Sequence, residues 1–450
     1  VAAGGGVTRR RVLLVSYHFP PVGGAGVQRP AKLARYLPDF GWDVSVLQAA
    51  NPSAPLLDPS LLAEIPPATV HVRARTLEPG YAAKARVGSG GGASGGGIAG
   101  GLRRLVRRAA TLALQPDAQV LWLPAARREG LAVLRRLPHD AILATAPTYT
   151  NLVLGGMLAR ATGVPLVSDY RDEWDLSSAY WENAPRDPIS HRIQGAMQRR
   201  VLRRSAAVVA TTEASTARLA VRAAEAGAAP RMQCIYNGWD AHDLAAAGEA
   251  APVPRPTPAR FRLAYTGTLW NLTSIAPLAA AVEQLATTHP DLTARLELVA
   301  LGRKTPEQET ELARIAATPA LVTAAPYAEH PVALATMRDA DALLLLLSDV
   351  PGAERVAPAK LFEYLAVARP MLAITPEGET AGIVRASLPD GWRAPTDVAG
   401  IATWLAARLT AWPAVLPVDR PDPAVAARFE RRALAGQMAA LLDAVTVGGG

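Results

Sequence analysis

Arg11-Val12-Leu13-Leu14-Val15-Ser16, running on into Tyr17-His18-Phe19-Pro20-Pro21-Val22-Gly23-Gly24-Ala25-Gly26, is the stretch on which the reading of this chain turns. Its first half is a short apolar run without polar alternation, the pattern of a strand buried on both faces of a parallel sheet. Its second half carries too much Gly and Pro for the interior of any element and reads as a βα loop. Apolar residues at helical spacing follow over 28–37, and Trp42-Asp43-Val44-Ser45-Val46-Leu47 reads as a second strand. Strand, helix and strand so close together predict a right-handed βαβ unit that opens a parallel sheet. The alternation returns at 141–145, 165–168 and 206–211, and again, beyond an Ala- and Pro-rich stretch, at 261–266, 295–301, 342–347 and 370–374.

The fold class expected is therefore α/β, with two Rossmann-like, doubly wound parallel-sheet domains facing across a cleft. The first domain is placed at 1–246, with a flexible Gly-rich loop at 83–101. A linker bearing Pro252, Pro254, Pro256 and Pro258 is placed at 247–260 and the second domain at 261–418. A terminal segment, 419–450, contains a helix expected to pack back on the first domain.

Composition sets the bounds. In 450 residues, 50% are hydrophobic and 19% charged, which excludes overall disorder. The lone cysteine, Cys234, excludes a disulfide framework or a multi-cysteine metal site and fits a reducing, cytoplasmic setting. The longest aliphatic run, Leu343 to Leu347, is far short of the roughly 20 residues that span a bilayer. No apolar stretch precedes the first strand, so a secretory signal is not expected. Net charge is +8, and of 47 basic residues only Lys32, Lys84, Lys304 and Lys360 are lysines. With aromatics at 5% and no aromatic-plus-basic motif, nucleic acid is not an expected partner. Leu102, Leu105, Val106, Ala109 and Leu112 fall on one face of an arginine-rich helix, either a packed surface helix or one resting on anionic lipid at the inner face of the membrane.

The loop at Gly23 and Gly24 lacks the dinucleotide-binding glycine order, yet a Gly-rich turn before a helix offers amide donors to an anion. The run YHFPPVGGAGVQR (Tyr17 to Arg29) closely resembles the opening of bacterial glycosyltransferases of family 4, which have the two-Rossmann GT-B fold. Asp169-Tyr170-Arg171-Asp172-Glu173-Trp174, Tyr236-Asn237-Gly238-Trp239-Asp240 and Pro358-Ala359-Lys360-Leu361-Phe362-Glu363-Tyr364-Leu365-Ala366 match the same family in order.

The resemblance implies a metal-independent, retaining transferase that moves a sugar from a nucleotide-diphosphate donor to a hydroxyl acceptor in polysaccharide or glycolipid synthesis, with no cofactor. Glu363 then accepts the ribose hydroxyls, and Lys360 meets the donor phosphates. Gly23, Gly24 and Gly267 allow close approach to the donor. Arg171 and Asp172 work at the sugar and acceptor, with His18 and Glu173 on the acceptor side; an Arg171–Asp172 pair that merely locks its loop is the alternative. The chain departs from the family at two points. Arg355, beside Glu354, replaces the glutamate eight positions before the ribose-binding one, and the loop Thr266 to Ser274 has no cation. Because a leaving diphosphate gathers charge, Arg303, Lys304 and Lys360 are expected to share its neutralisation. The partners expected are a nucleotide sugar and a lipid-linked or saccharide acceptor. A nucleotide-sugar epimerase and a non-catalytic nucleotide-sugar-binding module are the rival readings.

Overall fold

A computed structural model of the chain describes residues 9–54, 57–80, 112–174, 188–256, 258–413 and 420–446. The glycine-rich stretch 83–101 and the arginine-rich run 102–108 lie outside the described residues. The chain forms two units, Val1–Tyr236 with Leu434–Gly450, and Asn237–Ala433.

In the first unit, β1 (Arg10–Val15), β2 (Trp42–Ala49), β3 (Val70–Ala74), β4 (Ala141–Ala146), β5 (Leu166–Tyr170), β6 (Ser205–Ala210) and β7 (Arg231–Cys234) form one sheet. Their order is β3-β2-β1-β4-β5-β6-β7, and every neighbouring pair is parallel. Side-chain alternation divides the strands between two cores. Leu13, Val15, Ile142 and Ala144 face the helices Leu123–Arg136 and Tyr149–Thr162. Val12, Leu14, Leu143 and Val167 face the opposite layer, built partly from Leu434, Met438 and Leu442 of the C-terminal helix. Asp443 of that helix accepts from the Trp42 indole (3.0 Å) and from Arg10 (2.7 Å), which anchors it to β1 and β2.

The second unit repeats the plan. β8 (Phe261–Thr266), β9 (Leu296–Leu301), β10 (Leu321–Ala325), β11 (Ala342–Leu346), β12 (Met371–Ile374) and β13 (Trp392–Arg393) are ordered β10-β9-β8-β11-β12-β13, again all parallel. The proline-rich stretch 247–260 belongs to this unit. Arg262 on β8 is fully buried, and its guanidinium donates to both Glu297 carboxylate oxygens (2.9 and 3.0 Å), to Asp339, and to the carbonyls of Val253 and Pro254 (2.6 and 2.8 Å). Arg255 binds Asp339 and Asp341 beside it.

A comparable buried pair holds the first unit. Arg29 donates to both oxygens of Asp169 (2.8–3.2 Å) and to the Tyr236 carbonyl, and Thr145 adds a hydroxyl to Asp169. The Asp169 side chain is wholly inaccessible. Removing one partner of such a pair strands a buried charge, so Asp169→Ala should destabilise the first unit by about 3–5 kcal/mol. Thermal unfolding would measure this, and Arg29→Met combined with Asp169→Leu should recover a large part of the loss.

Candidate functional site

Open parallel sheets take ligands beyond the carboxyl ends of their strands, where the strand order reverses. In the second unit that point lies between β8 and β11. The loop leaving β8 is zipped to the loop leaving β9. The Gly267 amide donates to Leu301 O (2.8 Å), the Leu269 amide to Arg303 O (2.8 Å), and the Thr305 amide to Leu269 O (3.1 Å). Gly267 and Gly302 both hold φ near +135° (133° and 135°), a region closed to most L-residues. A Cβ at 302 would lie 2.1 Å from the Gly267 carbonyl oxygen, so two backbones touch where any side chain would part them.

Against this floor stands the helix Ala359–Val367, whose first turn contains no acidic residue. Its N-terminal amides and positive dipole end are suited to an anion. Lys360 lies in that turn, with Nζ 2.7 Å from Tyr265 Oη and 4.1 Å from the centre of its ring. Burial pushes the Lys360 ammonium below its ordinary value, partly offset by Tyr364 and Glu363. A Cβ on Gly267 would come 2.5 Å from this Nζ. Tyr364 ties the helix to β8, accepting the Thr266 amide at 3.1 Å.

Glu363, one turn further along, does not stand alone. His330, first residue of the helix His330–Asp339, places Nε2 at 2.9 Å from Glu363 Oε1. Burial alone lowers the His330 imidazole. The hydrogen bond and charge of Glu363, with Asp243 behind, outweigh burial and the opposing Arg431, and raise it above 6.5. The sequence carries no signal for His330, because a single histidine at a helix start has no spacing to betray a partner.

The other cations differ in availability. Lys304 gives its ammonium to the carbonyls of Gly302 (2.8 Å) and Ala325, and burial lowers it despite Glu309. Arg303 is exposed. Arg355 is half-buried and pairs with the more exposed Glu354 next to it.

In the first unit, Gly24 has φ of +98° just before the helix Ala25–Tyr36, and Gly23 precedes it in the loop. That helix contains Pro30, which has no amide to offer the Gly26 carbonyl one turn back. Arg171 donates its guanidinium to that carbonyl instead, and lies 3.7 Å from the half-exposed Asp172. Glu173 is buried, taking the Ser215 hydroxyl at 2.6 Å on its carboxylate and the Tyr149 hydroxyl at 3.0 Å on its carbonyl. It anchors the loop that presents Arg171 and Asp172. His18 is half-buried, edge-on to Tyr17 at 4.7 Å.

Among the described residues, Asp240, His242 and Asp243 are the one group of side chains close enough to share a metal ion. Asp240 there caps the helix Ala241–Ala246 through the His242 and Asp243 amides. No helix among the described residues is long and apolar enough to cross a membrane.

No protein-family model matches the chain, and no curated protein does. Solved structures do. HepE from Anabaena in complex with UDP aligns over 97% of this chain and 100% of its own, at 14% identity and TM-score 0.55. The α,α-trehalose 6-phosphate synthase of Burkholderia multivorans aligns over 98% of both chains at 14% identity and TM-score 0.61. An Escherichia coli structure bound with UDP-2-fluoro glucose aligns over 97% of both chains at 13% identity and TM-score 0.52. The fold is of the GT-B type.

The His330–Glu363 pair sets a pH dependence. Its stabilisation is complete below pH 6.5, where the unfolded histidine is also protonated, and is lost as pH rises through the higher folded value. The difference in melting temperature between wild type and Glu363→Gln should therefore be largest near pH 6 and shrink steadily above it.

Proposed function

We propose that the chain is a glycosyltransferase that takes a sugar from a nucleotide-diphosphate donor, held by the second unit, and passes it to a hydroxyl acceptor handled by the first. The single observation that carries this is the grouping at the β8/β11 switch point. There a dipole-bearing helix start, the Lys360 ammonium and the Glu363 carboxylate follow one another along one helix, over a glycine floor. Such an array offers cationic and amide contacts for a diphosphate and, one turn on, an acceptor for ribose hydroxyls. The GT-B fold, and the family 4 motifs that Lys360 and Glu363 occupy, support the same reading.

Within it, Lys360 is the principal phosphate contact and exposed Arg303 a second. Lys304 contributes mainly by shaping the loop, since two carbonyls hold its ammonium. Gly23 and Gly24 let the first loop approach the donor closely. Arg171 and Asp172 flank the transferring sugar and acceptor hydroxyl, and His18 adds a polar edge. As the family 4 likeness implies, anomeric configuration is retained, no metal is required, and the acceptor is a lipid-linked or saccharide intermediate reached at an anionic membrane surface. UDP is the first nucleotide to try, because it occupies the Anabaena neighbour.

Titration calorimetry with UDP and GDP tests the core of this. One of them should bind, and Lys360→Met should weaken it at least tenfold. The same variant should melt higher at pH 7, since it removes a charge that burial penalises, and the advantage should fade as pH climbs through the lowered Lys360 value. Equal affinity in wild type and Lys360→Met would discard the site. Gly267→Ala should also lose binding, because its Cβ displaces the Lys360 ammonium.

A further inference from the structure

His330 is one third exposed and the Glu363 carboxylate one fifth (33% and 20%), so the pair lines the open end of the sheet and is not sealed within a core. A glutamate has three rotatable bonds, and burying or fixing it costs rotamer freedom. A carboxylate meant to receive two vicinal hydroxyls must nevertheless hold one plane, and groups behind such a side chain supply that constraint. His330 occupies that position. Its ring donates from Nε2 to Oε1 and leaves Oε2 without a claim from the imidazole. The charged groups that face the ring come from three other elements: Glu363 itself, Asp243 on Ala241–Ala246, and Arg431 at the start of Arg431–Thr446. Glu329, the cap residue just before that helix, adjoins His330 in the chain.

We propose that His330 is a positioning residue for the donor, orienting Glu363 so that its free oxygen accepts from the ribose hydroxyls. This rests on the reading of Glu363 as the ribose acceptor. Either protonation state of the ring serves, because a neutral imidazole protonated at Nε2 donates as the imidazolium does. The role is therefore one of direction, and a side chain with a neutral N–H at similar reach should replace it.

The test is discrimination between UDP and 2′,3′-dideoxy-UDP, and between GDP and its dideoxy analogue, by calorimetry on the full chain. For whichever base binds, wild type should prefer the hydroxylated nucleotide at least tenfold. Glu363→Ala and His330→Ala should each cut that preference to below threefold, and His330→Gln should restore most of it. In turnover assays His330→Ala should raise donor KM about tenfold with kcat within twofold. A folded His330→Ala that keeps the full preference overturns the positioning role while leaving Glu363 in place. A Glu363→Ala that keeps it overturns the ribose reading and His330 with it. Failure of His330→Gln to restore preference, with its fold intact, also overturns the orienting role.

Discussion

The second unit depends on a contact between two backbones. Where β8 and β9 end, Gly302 meets the Gly267 carbonyl so closely that a single methyl at 302 would force the strands' exits apart. The loops beyond are zipped by amide hydrogen bonds, and Lys360 settles over Tyr265 beside Gly267. Each step follows from the one before. The missing side chains permit the contact, the contact shapes the floor, and the floor admits a buried ammonium that a side chain at 267 would push aside. Burial holds that ammonium against its electrostatic preference, a local cost in stability.

The first unit uses its motif residues differently. Arg29 and Asp169 lie far apart in sequence yet meet as a buried pair joined by three hydrogen bonds, which binds the helix after β1 to the end of β5. A second tie follows from Pro30. By withholding an amide it leaves the Gly26 carbonyl open, and Arg171 from the other motif fills it. Several polar side chains in these two segments thus act as architecture, with half-exposed Asp172 on a loop secured by Glu173 next to it.

Most of the fold was legible because central parallel strands are buried on both faces and announce themselves as apolar runs. The strands that escaped notice, β3, β7, β10 and β13, are the four sheet edges. Exposed His71 and Arg73 and half-exposed Gln233 break their apolar pattern. Local pattern placed Lys360 and Glu363 on a helix and Gly267 in the loop after a strand, where the structure has them. His330 and the Arg29–Asp169 pair were not legible, since their partners lie 33 and 140 residues away and only folding brings them together. Proximity in sequence drew attention to Arg171 with Asp172, whereas the sealed pairing involves the aspartate two positions before Arg171.

The Arg262 cluster bears on where the second unit begins. Composition marks 247–260 as a tether, but two of that guanidinium's acceptors are main-chain oxygens at 253 and 254. A fragment started at Phe261 would leave a water-excluded guanidinium short of two of its acceptors. The prolines upstream therefore behave as a clasp folded onto the edge of the lobe. Any attempt to express the second unit alone has to carry that clasp with it.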